Sequence, residues 1–245
     1  MSLIMSIVFG GVVGTLVYYL SDVLPVTRNF SQPKCRVCNQ PYTMEEYLVL
    51  HTCSHCGKNT SSRFFIILFS AMVLCILLHF FPFSNLNFYA TLPILIFLGV
   101  IAVIDIEYHL VLIETTLFGV VLFLIYGIII HGIQSTLFGA LAGLLIMLSF
   151  YFIGLLFSKI IGKLRHQEIK EVAFGFGDVC FGLILGLLTG FPAIIRAITF
   201  SLLLFSAFTF ALVFVLLISR RYRAYTKALP FTPFLTLGAI AVFYL

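Results

Sequence analysis

Polar residues are so sparse along this chain that it reads as long apolar runs divided by short polar seams. Runs free or nearly free of charge cover 3–20, 64–83, 88–104, 111–130, 137–157, 179–195, 197–218 and 231–245. Each approaches the ~20 residues that carry a helix across a hydrocarbon core, some falling short of it. The pattern therefore predicts an all-α fold, a polytopic membrane bundle of about eight transmembrane helices. The first run lacks a basic leading region and a small-residue cleavage site, so it reads as a retained helix and not as a signal peptide. Three segments follow from this division: a first transmembrane helix over 1–21, a polar loop over 22–63, and a membrane core over 64–245.

Composition agrees with this reading. The chain is 62% hydrophobic and 9% charged over 245 residues, and its mean hydropathy is +1.17. No soluble domain covers that much apolar surface with so few charges. The net charge of +5 is explained by where the basic residues fall. Arg28, Lys34, Arg36, Lys58 and Arg63 follow the first helix. Lys159, Lys163, Arg165 and Lys170 lie between the fifth and sixth, and Arg220, Arg221, Arg223 and Lys227 between the seventh and eighth. With eight spans these segments share one face, which the positive-inside rule makes cytoplasmic, with Arg196 the exception. Both termini then face outward. The charge sets topology, and nucleic acid is not expected as a partner; membrane lipid is.

The polar loop carries "CRVC" at Cys35–Cys38 and "CSHCGK" from Cys53, a C-x2-C-x14-C-x2-C arrangement. Four thiolates in two close pairs can surround one ion tetrahedrally, and Gly57 suits the tight turn after a metal knuckle. A structural Zn2+ held by Cys35, Cys38, Cys53 and Cys56 is the expectation. Two disulfides compete with it, against the reducing compartment in which the topology places the loop. His51 and His55 stand beside the second pair as alternative ligands. Cys75 and Cys180 lie in apolar runs and read as small buried hydrophobes. The basic, amphipathic stretch 159–171 reads as an interfacial helix, or else as a flexible gate.

Of nine acidic residues, Asp22, Glu45, Glu46, Glu168 and Glu171 fall in polar segments. Asp105, Glu107, Glu114 and Asp178 sit at or inside helix boundaries, where a charge costs several kcal/mol, about 3 per residue on the insertion scale. Topology brings Asp105 and Asp178 to similar depth on the cytoplasmic side. If their helices pack together, the carboxyls meet. Two close carboxyls share a proton; one activates water while the other protonates a peptide carbonyl, which is aspartic protease chemistry. Gly175 and Gly177 precede Asp178 and would allow close approach of a substrate backbone and a turn into the helix. Taken alone, Asp178 also reads as a helix N-cap. Patterns for serine hydrolysis, zinc proteolysis and nucleotide hydrolysis are missing from the sequence.

These residues together resemble the type IV prepilin peptidases, membrane aspartic proteases of the GxGD class. The resemblance runs from "GTLVYYLSDVLP" at 14–25, through both cysteine pairs, "VIDIEYHLVLIETTL" at 103–117 and "GFGDV" at 175–179, to "ALPFTPFLTLG" at 228–238. It implies that Asp105 and Asp178 are the catalytic aspartates and that the cysteine loop binds zinc in the cytoplasm of a bacterium, the protein lying in the inner membrane. It implies cleavage of the short basic leader of prepilins or pseudopilins, next to a glycine and before a hydrophobic helix, in company with pilus or secretion machinery. Many bacterial members also methylate the new amino terminus with S-adenosylmethionine. Leu112 and Ile113 stand where the family has Pro followed by Asp or Asn, and Cys180 where Lys is common. The loop is also short between its cysteine pairs, and the usual Asn-Ile-Pro stretch is missing. The aspartates are untouched by these departures, so proteolysis is the expected activity and methylation is separable from it. The competing expectations are a non-catalytic scaffold, a proton-coupled transporter whose acids carry protons or cap helices, and a degenerate relative kept for assembly contacts.

Overall fold

The computed structural model describes residues 3–28, 30–43, 45–57, 59–83, 86–165, 175–219 and 229–244. Among the described residues there are seven α-helices: α1 (Leu3–Thr27), α2 (Ser61–Phe80), α3 (Phe88–Tyr108), α4 (Ile113–Arg165), α5 (Phe176–Thr189), α6 (Ala193–Ile218) and α7 (Thr232–Val242). Among the described residues there is no strand, only the isolated bridges Lys34–Pro41 and Thr52–Asn59. Among the described residues, five helices are long and apolar enough to cross a membrane.

Helix α4 accounts for two of the predicted spans. Its 53 residues are interrupted at Gly132, whose φ of 79° and ψ of 164° are not helical. Nine residues of straight helix would separate positions 127 and 136 by about 13 Å. Instead, a Cβ on Gly127 would meet the Thr136 side chain at 2.7 Å. The chain therefore doubles back at Gly132, and the two arms are separate passes. With the short apolar helices α5 and α7, the apolar helical segments among the described residues number eight, matching the number of apolar runs in the sequence.

The run 179–195 does not form one helix. It is cut by Gly190, at φ 70°, and a cis Phe191–Pro192 peptide, so α5 stops at Thr189 and α6 starts at Ala193. The break is tied to the α4 turn, Phe191 N–H donating to Ser135 O and Ser135 Oγ to Phe191 O, each at 2.9 Å. The interfacial helix expected over 159–171 begins as the end of α4, and its remainder lies outside the described residues, as do the basic residues at 220–227.

The chain divides into two compact units, Met1–Ile104 and Asp105–Leu245. In the first, α1 packs on α2 where glycines replace side chains. A Cβ on Gly10 would lie 2.7 Å from Met72 Cα, and one on Gly14 would lie 2.9 Å from Leu68 Cα. The polar loop is fastened to this hairpin through Asp22. Its carboxylate accepts Arg36 Nη2 at 2.7 Å, Arg63 Nη1 at 2.6 Å and Tyr47 OH at 2.9 Å. Burial pushes the Tyr47 phenol far up, and the neighbouring Asp22 charge pushes it further, so the hydroxyl stays protonated and donates.

In the second unit α5 is buried on nearly every side, including Val179, Phe181, Ile184, Leu185, Leu187 and Leu188, as a helix that is apolar all round should be. Small residues bring α4 onto it. Gly139 and Gly143 face Gly186 and Gly182, and a Cβ on any of the four would strike the opposing backbone or the Met147 side chain. This is the small-xxx-small device by which helices approach closely in lipid. Gly238 does the same for α7, against Ser201 and Ala197 of α6.

Candidate active site and metal site

Asp178 is the third residue of α5, not its cap: Gly175 holds the cap position with φ −80° and ψ 157°. The Asp178 side chain turns back toward the helix start, where Oδ2 accepts the Gly175 N–H at 3.0 Å. A carboxylate in the first turn is favoured by the helix dipole and by amides without partners in the helix. The two glycines serve different ends. A Cβ on Gly175 would make only ordinary van der Waals contact, with Asp178 Oδ2 at 3.8 Å, whereas one on Gly177 would meet Val111 Cγ2 at 2.6 Å. The close approach that Gly177 allows in the folded protein is thus that of Val111.

Asp105 lies in the last turn of α3, which continues to Tyr108; the residue is 8% exposed. Its backbone oxygen accepts His109 N–H, and His109 turns the chain out of the helix at φ 53°. The two carboxyls converge on one residue at the start of α7. Thr232 N–H donates to Asp105 Oδ2 at 3.2 Å, and Thr232 Oγ1 to Asp178 Oδ1 at 3.4 Å. All three residues belong to the second unit. The acids, 73 positions apart in sequence (178 − 105), are thus linked through a single residue. Sequence reasoning brought them to one depth but passed over Thr232. The available signal was its place between Phe231 and Pro233 in the closing segment.

α7 is placed by packing. Phe231, buried at 3% exposure, meets Phe205 edge-on with centroids 5.1 Å apart, and Phe234 meets the same ring at 5.3 Å. Pro233 suits the first turn, where its missing N–H costs nothing.

The cysteine loop forms two matching turns. Cys35 O accepts Asn39 N–H at 2.9 Å, and Cys53 O accepts Gly57 N–H at 2.8 Å. The residue after each pair, Asn39 (φ 58°) or Gly57 (φ 67°), is left-handed, which Asn and Gly tolerate best. The turns face each other with Sγ atoms of Cys35 and Cys56 3.5 Å apart, and those of Cys38 and Cys53 3.6 Å apart. All four sulfurs lie within 4.8 Å of one another. Zn–S bonds of about 2.3 Å in a tetrahedron require sulfurs roughly 3.8 Å apart, so the donor set fits a structural zinc. Burial alone would raise the Cys35 thiol. Hydrogen bonds from the Cys38 and Val37 amides, Tyr42 and Cys56 outweigh it and bring the thiol down to about 6, toward the thiolate that binds metal. His51 is not in this group: it stacks on Phe64, centroids 4.0 Å apart. Cys75 is fully buried and Cys180 half-buried.

No curated protein and no solved structure matches the chain. A family match does exist, to the type IV leader peptidase family over residues 92–218, just over half of the chain and inclusive of both aspartates. A multi-pass helical chain matched over that stretch has one reading: it belongs to the type IV leader peptidase family, and so to a family of proteases.

Proposed function

We propose that this protein is an aspartic endopeptidase of the bacterial inner membrane that removes the leader of type IV prepilins or pseudopilins, with Asp105 and Asp178 as the catalytic pair. The observation that carries the reading is the convergence of the two carboxyls on Thr232 within one unit. Two carboxyls so close share one proton. The ionised member takes a proton from water as that water attacks the scissile carbonyl carbon, while the other gives its proton to the carbonyl oxygen. The C–N bond then breaks, with the proton passing to the amine. The basic loops favour a cytoplasmic site, where water is available and the leader's charges remain solvated. The zinc loop is structural in this scheme, since four thiolates close the coordination shell. Transfer of a methyl group from S-adenosylmethionine forms no part of the proposal. Co-expression with a prepilin tests it: the parent should release the leader, and Asp105→Asn or Asp178→Asn should leave the precursor intact. Processing by both variants at the parent's level would remove the pair from the mechanism.

A further inference from the structure

We propose that Thr232 is a positioning residue of the peptidase site, its backbone fixing Asp105 while its hydroxyl bridges the two carboxyls and follows the proton between them. The inference rests on the Asp105/Asp178 chemistry proposed above and adds a third group to it. Thr232 is fully buried, at 0% exposure. As the first residue of α7 its amide has no acceptor within its own helix, and that N–H is given to Asp105 Oδ2. The hydroxyl donates to Asp178 Oδ1, so one residue engages both carboxyls, Asp105 through its amide and Asp178 through its side chain. Asp178 is held on its other oxygen by Gly175 N–H.

A hydroxyl has one proton to give and lone pairs with which to accept. Between two carboxyls that share one proton, it donates to the ionised member and accepts from the protonated one. When the proton passes from one aspartate to the other during hydrolysis, the hydroxyl reverses by rotating about its C–O bond, and no backbone need move. Atoms balance, since only the carboxyl proton changes place. Among the described residues, the titratable groups that Thr232 engages are Asp105 from α3 and Asp178 from α5, and His109 stands one turn after Asp105, its N–H on the Asp105 backbone oxygen. The close packing of Gly238 of α7 against Ser201 and Ala197 of α6, and of Phe231 against Phe205, holds α7 in place.

The test uses the full-length protein in lipid, with a prepilin as substrate and Thr232→Val, Thr232→Ser and both aspartate-to-asparagine variants. Thr232→Val keeps the amide and the side-chain shape while removing the hydroxyl. Its kcat should fall by roughly 10–100-fold, the loss of one hydrogen bond to a charged group, with KM within about twofold because substrate binding is untouched. The acid limb of its pH–rate profile should move to higher pH, since a lost donor makes the ionised carboxylate less favoured. Thr232→Ser should restore both the rate and the profile. Thr232→Ala carries the same expectations should the valine variant not fold. A hydroxyl-less variant with the parent's kcat and pH profile would overturn the inference, and so would serine and valine variants impaired alike. If the asparagine variants are inactive while the valine variant matches the parent, only the role of Thr232 fails. If the asparagine variants cleave, the pair fails and Thr232 with it.

Discussion

At the scale of single residues, the two aspartates at the ends of apolar helices are each met by hydrogen-bond donors. Asp178 is met by an amide one turn back and by the Thr232 hydroxyl, and Asp105 by the Thr232 amide. The register of Gly177 is as specific. Val111 occupies the space of a Cβ there, so Gly177→Ala should reduce stability by about 1–3 kcal/mol, the usual cost of overpacking. Adding Val111→Ala should recover part of that loss, as contacting residues couple. A double variant no more stable than Gly177→Ala, measured by thermal unfolding in detergent, would refute the contact. The cysteines make an equally local claim. Metal analysis should find about one zinc per chain, falling to near zero in Cys35→Ser. A metal-free parent with oxidised thiols would favour the disulfide reading instead.

At the scale of elements, helix identity was legible because the hydrophobic runs are long, while helix ends and contacts were less so. Residues 179–195 looked continuous because Gly, Phe and Pro interrupt the backbone without interrupting hydropathy. Asp178 read as a cap because Gly175, which actually caps the helix, has no side chain to advertise it. The four-residue spacing of Gly139 and Gly143, and of Gly182 and Gly186, was in plain sight, but which helix each faces is a tertiary fact. Asp22 likewise read as a loop charge, although it gathers two guanidiniums and a phenol. Where the sequence carried chemistry at fixed spacing, in the two Cys-x-x-Cys turns, the structure follows it closely. Thr232 is the opposite case: its partners come from residues 54 and 127 positions away, beyond any local pattern. The glycine interface yields its own prediction. Gly186→Leu drives a branched side chain into the α4 backbone and should abolish folded yield or cost at least about 3 kcal/mol. Leucine at Gly11, where a Cβ meets nothing within 4 Å, is the matched control and should behave as the parent. Equal stability of the two variants would show that α4 and α5 do not meet through these glycines.

At the scale of the whole molecule, the described residues combine eight apolar helical segments, a four-cysteine cluster and two aspartates that meet at Thr232, in one chain of the type IV leader peptidase family. The short α5 is buried among its neighbours rather than facing lipid, while α6, with 6% of its most apolar window buried, has the surface of a lipid-facing helix. The two acids lie at helix ends, Asp105 in the last turn of α3 and Asp178 in the first turn of α5. The central claim is that Asp105 and Asp178 together hydrolyse the leader peptide bond. Its most direct test is the rate of leader release from a prepilin by purified protein in lipid, read by mass spectrometry for parent, Asp105→Asn and Asp178→Asn. The parent should release the leader, and each substitution should slow release by about 10²–10⁴-fold or more while the helical content stays unchanged. Release at the parental rate by either folded variant would contradict the account.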